Sequence, residues 1–463
     1  MPPRSLCWVT FLVLAVLGTT YAMLAARPRK ASVPLLDYRS RKQAESASAE
    51  PRSQGVQVQV LHRRSTSGRP GLTKSGSATQ PWTQFRGPTG QGHAGASSLP
   101  LRWSETENIS WKVQIPGSGW SSPVIQGDQV WLTTALEPPL GLRALCLDRN
   151  TGQLVHDVPV FNSSAPARLH PKNTHATPTP IIEGDRVYAH FGPFGTACLS
   201  TSGEVLWRAE QGYAAAYGPS NSPVLYGDLL LVQCDGTDVC YTVALDKHTG
   251  KVRWEHAREG RNSEATPLVI ETAGGPQLVS SLAGRVLASD PATGKEIWWA
   301  AQGDNYAQVP RPVYGLGLVF TCGGFYDPVV TAVRVDGRGD VSGTHVAWKL
   351  RHASVAQLAS PLLVGDRLYM VSNSGIATCL DARTGKLHWR ERLSGDFSAS
   401  PIDAGGRIYL VNEDARTVVL AAGPTFRRLA DNQLEGVVRA SPAVYDCALY
   451  LRTDRCLYRI EEE

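Results

Sequence analysis

The 463-residue sequence is poor in the features that mark most enzyme chemistries. Its nine cysteines include no Cys-x-x-Cys and no Cys-x-x-Cys-His, so a zinc site and a c-type haem both lack support. No Ser-His-Asp order, phosphate-cradling glycine loop or paired-carboxylate constellation stands out. Almost no stretch carries a helical apolar period, which argues against an α-helical or α/β class for the bulk of the chain. Strong uniform charge is absent too. Residues 1–80 hold 12 Lys/Arg against 3 Asp/Glu, which leaves 34 against 38 in the remainder of the totals of 46 and 41. A basic stalk therefore precedes a mildly acidic head, and nucleic acid, which wants a basic face, is not an expected partner.

What is present is a repeat. Ala244-Leu-Asp-Lys-His-Thr-Gly-Lys-Val-Arg-Trp254 returns as Ala288-Ser-Asp-Pro-Ala-Thr-Gly-Lys-Glu-Ile-Trp298 and as Cys379-Leu-Asp-Ala-Arg-Thr-Gly-Lys-Leu-His-Trp389. Each copy reads as a strand, an Asp-led turn closed by Thr-Gly, and a second strand ending on a Trp that one hairpin could not bury. Weaker copies run from Cys146 to His156, where His replaces Trp, and from Cys198 to Trp207. A Ser/Thr-Pro step precedes each motif, and the prolines at 123, 180, 223, 267, 312, 361, 401 and 442 lie 40–57 residues apart. That spacing, with about four short strands per unit, predicts an all-β, eight-bladed β-propeller of four-stranded blades. The last unit has only 21 residues after Pro442, so Glu107-Asn-Ile-Ser-Trp-Lys-Val113 is expected to complete the eighth blade and close the ring.

Around the propeller, assigned to residues 81–463, two other segments are read. Leu6 to Ala26 is a 21-residue apolar run, and 1–26 reads either as a transmembrane anchor or as a signal peptide cleaved near Thr20-Tyr-Ala22. Both readings export the head from the cytoplasm to the cell envelope. Residues 27–80, rich in Ser, Arg, Gln and Ala, are expected to be a disordered basic linker. Cys146, Cys198 and Cys379 sit where other copies carry Ala, which predicts small buried residues, whereas Cys234 and Cys240 flank a hairpin turn and are the best disulfide candidates.

The complete motif copies identify the chain as similar to the PQQ-binding-like β-propeller repeat proteins, over roughly residues 81–463. Trp82-Thr-Gln-Phe-Arg-Gly-Pro-Thr-Gly90, Trp103 to Trp111 and Gly119-Trp-Ser-Ser-Pro123 resemble a bacterial branch labelled as similar to the BamB outer-membrane assembly lipoprotein. The resemblance implies architecture more than activity. In quinoprotein dehydrogenases of the same superfamily the funnel holds PQQ and calcium beside an adjacent cysteine pair, and no two cysteines here are neighbours.

Residues just before each Ser/Thr-Pro step are expected at the channel mouth. Ligand-binding candidates there are Trp120, His175, Arg261, Asn262, Glu264, Asp396 and Arg439; no catalytic residue and no metal ligand is assigned. His170 and His175 lack a third metal partner. The leading expectation is a monomeric, non-catalytic, envelope-tethered scaffold that binds a protein or small ligand, is held to the membrane by its N-terminal segment, and needs no cofactor. The alternatives are a PQQ-dependent oxidoreductase with a divergent site around Glu264, Asn262 and Asp396, and a polysaccharide-binding head.

Overall fold

A computed structural model describes residues 58–63, 80–95, 99–137, 139–164, 169–259, 262–303 and 308–462. The chain divides into Met1–Ala47 and Ser48–Glu463, and all described residues belong to the second unit. The apolar run expected to anchor or export the protein lies outside the described residues, as does Arg261.

Eight sheets, antiparallel except for one short added pairing in the fourth, follow one another as predicted. Blades 1 to 7 span residues 124–163, 181–209, 224–257, 268–301, 313–351, 362–392 and 402–433. The eighth is assembled from both ends of this unit: Ala443–Tyr445, Ala448–Arg452 and Cys456–Ile460 pair in order, and Ile109–Gln114 adds as the fourth strand against Cys456–Ile460. Ring closure thus occurs where the truncated last repeat required it.

The Ser/Thr-Pro step has a specific use. The backbone N–H of Ser122 donates to Thr179 Oγ1 at 3.0 Å, Thr179 N–H to Ser222 Oγ at 2.9 Å and Ser222 N–H to Thr266 Oγ1 at 2.9 Å. The chain resumes with Arg311, Ser360 and Ser400, whose N–H groups donate to the hydroxyls of Ser360, Ser400 and Ser441 at 2.9–3.0 Å. Each hydroxyl satisfies a buried amide of the preceding blade, and the proline then starts a short innermost strand. Blade 5 carries Arg311 instead of a hydroxyl residue, and its guanidinium bonds Pro267 O at 3.1 Å. Between blades 8 and 1 the bridge is Arg452, whose Nη1 donates to Ser121 Oγ at 2.7 Å.

At the outer edge, the Asp-Thr-Gly turn of one blade receives the Trp of the blade before it. Asp246 Oδ1 accepts from Thr249 N–H at 2.9 Å and Thr249 Oγ1 at 3.0 Å, which fixes the turn. Gly250 then adopts φ +72° and lies so close to the Trp207 ring that a Cβ there would stand 2.6 Å from it. The same relation joins Trp111 to Gly152, Trp254 to Gly294 and Trp348 to Gly385. Where His156 replaces Trp, it packs on Gly203. Trp298 departs from the pattern: it is fully buried, but its Nε1 donates to Gln277 Oε1 of its own blade at 2.9 Å. The following blade has no Thr-Gly turn to receive it, and Gly339–Asp340 instead pairs in parallel beside Trp298 and Trp299.

Two expectations need correction. Inside the segment read as a linker, Gln59–Arg63 forms a strand that pairs outside Ile109–Gln114 as a fifth strand of blade 8. The alternation of Val56-Gln-Val-Gln-Val60 is a strand period, and Val58 and Val60 pack on the core; the polar composition around them masked it. Cys234 and Cys240 are not joined in a disulfide. Cys234 stands opposite Tyr241 and Cys240 opposite Asp235, so the two are offset by one position in a ladder whose side chains alternate between faces. Cys146, Cys198 and Cys379 are buried as expected.

Candidate functional site

The innermost strands leave a channel along the ring axis, and one segment closes its lower end. Residues 82–95 cross the inner strands of several blades. Trp82 O accepts from Ile125 N–H at 2.8 Å, Thr83 O from Ile182 N–H at 2.9 Å and Gly92 O from Asp403 N–H at 2.8 Å. Gln91 Oε1 accepts from Tyr314 N–H at 2.6 Å. These amides sit on strand edges that have no further strand to pair with, so the segment supplies their acceptors. Two buried arginines lock it. Arg86 Nη2 donates to Pro361 O at 2.8 Å, and Arg311 Nη1 donates to Phe85 O at 2.7 Å. Burial draws both guanidinium groups down to about 9, and for Arg86 the neighbouring Arg311 charge adds to the effect.

Above this floor lies a cavity of about 670 Å³, lined by residues from every blade approach and by Phe85 beneath. Of the candidates read from the sequence, Trp120, Glu264 and Arg439 line it. The other candidates are placed differently. His175 is 2% exposed, packs edge-to-face on Phe194 at 5.5 Å, and is held below its ordinary pKa by burial. Its loop neighbours His170, Lys172 and Asn173 face the cavity instead. Asn262 is buried and donates from Nδ2 to Glu264 Oε1 at 2.7 Å. Asp396 is exposed, with its carboxylate 3.6 Å from Lys172 Nζ.

The site has two electrostatic halves. On the side of blades 7, 8, 1 and 2, Glu413 accepts from Lys172 Nζ at 2.8 Å and Arg439 Nε at 3.2 Å, and the Arg439 guanidinium lies 5.3 Å from the Trp120 ring centre. Burial pulls the Glu413 carboxyl upward, but hydrogen bonds from Lys172 and Ser398 and the Lys172 and Arg439 charges outweigh it and hold the carboxyl low. On the side of blade 4, among the described residues, Glu264 has only Asn262 as a side-chain hydrogen-bond partner, and its shielded Oε2 has none. Burial pushes its pKa up to about 7, with the Asp235 charge adding to the rise.

At the rim, Phe325 and Tyr326 are 57% and 87% exposed, with ring centres 5.4 Å apart. The sequence reading missed them because they lie between the second and third strands of blade 5 rather than before a Pro step. The Cys322-Gly-Gly-Phe-Tyr-Asp-Pro328 loop, with two aromatics next to turn residues, carries the signal that could have found them.

The divergent quinone site was expected to group Glu264, Asn262 and Asp396. The first two meet, but Asp396 belongs to the Lys172 side. The couple offers fewer oxygens than the roughly six to eight that calcium gathers, so the residues present do not fit a calcium-held quinone and no step is derived through one. Among the described residues no three His, Cys, Asp or Glu side chains form a metal-sized group.

The family model described as outer membrane protein assembly factor BamB matches residues 104–276 and 327–425, more than half of the chain. The BamB assembly factor of Shewanella oneidensis is 25% identical over 214 residues, 44% of this chain and 51% of that protein. The BamB of Legionella pneumophila is 25% identical over 206 residues, 42% and 49% of the two chains. This chain thus spans about half the length of the curated relatives it matches. Among solved structures, BamB from Moraxella catarrhalis superposes with a TM-score of 0.54 at 14% identity, covering 76% of this chain and 96% of that one. The quinohemoprotein alcohol dehydrogenase of Comamonas testosteroni gives 0.59 at 10% identity, covering 84% and 81%. At such identities these two likenesses speak for the fold alone. The repeat, the closed eight-bladed ring and the matched family model agree, and the chain belongs to the family of the outer membrane protein assembly factor BamB.

Proposed function

We propose that this protein is a non-catalytic scaffold, held in the cell envelope, that docks a partner protein on the mouth of its funnel. The observation that carries the reading is the rim. Phe325 and Tyr326 stand in water at the open end of a cavity that residues 82–95 close from below. Large aromatics left exposed beside a pocket are the usual anchors of a protein interface. Family membership supports it, since the relatives are named for the assembly of outer membrane proteins. Those names and the apolar run from Leu6 to Ala26 support an envelope location with a membrane tether. The scaffold acts as a monomer without a cofactor in this reading.

The test is site-specific photo-crosslinking in the native envelope. A benzophenone amino acid at Tyr326 should trap a discrete partner identifiable by mass spectrometry, while the same group at Leu387, 50% exposed on an outer strand, should not. Trapping from Leu387 alone would move the docking face to the blade edges. Dye-linked oxidation of an alcohol or sugar after addition of PQQ and calcium would overturn the scaffold reading altogether.

A further inference from the structure

The two halves of the funnel are unequal in what they leave unsatisfied. Lys172 and Arg439 share Glu413, and Asp396 stands 3.6 Å from Lys172, so the cationic half sets two cations against two carboxylates. Glu264, on the opposite side of the eight-bladed ring, lines the cavity without a described cation beside it. Among the described residues, the charged groups around it do not supply one. Asp235 carries the same sign, and Arg258 is committed to Asp235 by a salt bridge. Tyr213 is buried nearby as a neutral phenol, its pKa pushed well above the ordinary value by burial. A shielded carboxylate with one empty oxygen is costly to leave that way, and a cation is what would relieve it.

We propose that the funnel receives a lysine side chain from an extended segment of the partner protein, its ammonium group at the Glu264 carboxylate. This rests on the funnel mouth being the docking face. Three features select lysine. Glu264 Oε1 already accepts from Asn262 and Oε2 is shut off from solvent, so the carboxylate cannot present both oxygens to a two-pronged guanidinium, whereas an ammonium needs one acceptor. Tyr217 and Trp120 in the cavity wall can cover an alkyl stem and attract its charged end. The exposed pair Phe325 and Tyr326 calls for a partner large enough to cover the rim, which a free diamine is not.

The test uses the full-length protein and two blocked pentapeptides, glycine with a central lysine and its norleucine analogue, together with free cadaverine. Calorimetric titration should show the lysine peptide binding at least about tenfold more tightly than the norleucine peptide. Glu264→Gln, which keeps the shape and removes the charge, should abolish that preference. Tyr326→Ala, at an exposed position that cannot disturb the core, should weaken the lysine peptide and leave cadaverine unchanged. Binding should strengthen from pH 6 to pH 8 as the Glu264 carboxyl ionises while the ammonium keeps its proton. Equal affinity for the two peptides, no binding of either, or an undiminished preference in Glu264→Gln would overturn the lysine assignment, and a Tyr326 crosslink would still uphold the scaffold. Cadaverine binding as tightly as the peptide, with Tyr326→Ala silent, would replace the protein segment by a free amine.

Discussion

The indole Nε1 of Trp111 donates to the carbonyl oxygen of Arg149 at 2.9 Å, across 38 residues of sequence, and so fastens the eighth blade to the first. Trp207 makes the same bond to Lys247 at 3.1 Å, Trp348 to Ala382 at 3.0 Å and Trp389 to Gly423 at 3.2 Å. Each bond satisfies a turn carbonyl while the ring covers the turn glycine or its neighbours. These four tryptophans are therefore joints between blades, whereas Trp298 bonds within its own blade.

Trp111→Ala should cost about 3–5 kcal/mol, by loss of buried ring area and of the hydrogen bond, and should also lower the cooperativity of unfolding because the ring opens at its seam. Trp348→Ala, whose ring is only part-buried, should cost less. Denaturant melts of the two variants check the order. A Trp111→Ala protein that unfolds with wild-type midpoint and slope would show that docking does not hold the ring shut.

A pair of glycine variants separates backbone strain from the docking contact. Gly227 and Gly250 have φ of +54° and +72°, so alanine is strained at both. A Cβ at Gly227 meets nothing within 4 Å, whereas at Gly250 it meets the Trp207 ring at 2.6 Å. Gly227→Ala should therefore cost about 1–2 kcal/mol, and Gly250→Ala more. Equal costs would mean that the Trp207 ring moves aside freely.

Arg311 is the joint between the floor segment and the blades. Arg311→Gln should free Phe85 O and Pro267 O and cost about 2–4 kcal/mol, with new protease cleavage within residues 82–95. Cleavage unchanged from the wild type would show that the strand-edge amides alone hold the floor.

His190 gives the fold an acid-sensitive point. It is 1% exposed, Thr196 donates its only hydroxyl hydrogen to Gln211 Oε1 at 2.8 Å, and His190 Nδ1 therefore donates to Thr196 Oγ1 at 2.9 Å. Nε2 is left without a partner among the described residues. Burial lowers the pKa to about 3, so the folded protein holds the ring neutral while the unfolded chain takes a proton below pH 6.5. Its contribution is complete above pH 6.5 and falls by about 1.4 kcal/mol per unit as pH drops towards 3. His190→Asn should flatten the decline of stability between pH 6.5 and 4. An unchanged slope would assign the acid response elsewhere.

Much of the ring was legible because its signals are local and repeated. Each Asp-Thr-Gly turn is fixed by bonds within three residues, as at Asp246 and Thr249, and each Pro step stands at the start of an inner strand. The strand at Ile109–Gln114 could be assigned to the last blade because the final repeat stops short. Less of the site could be read. Trp120, Glu264 and Arg439, chosen by their position before a Pro step, line the cavity, but the same rule also selected His175 and Asp396, which are not among its lining residues. Position before a strand places a backbone; it does not say which way a side chain turns.

By itself, then, the sequence determined the number of blades, the joint residues and the strand that closes the ring, all of which depend on contacts repeated at one period. Only the tertiary structure decided that residues 82–95 seal one end of the channel, that Lys172 reaches Glu413 across 241 residues, and that Glu264 lines the cavity with one shielded oxygen unpartnered among the described residues. Those relations join segments that no period connects, and they arise because eight inner strands converge on one axis and bring their approaches within hydrogen-bond reach.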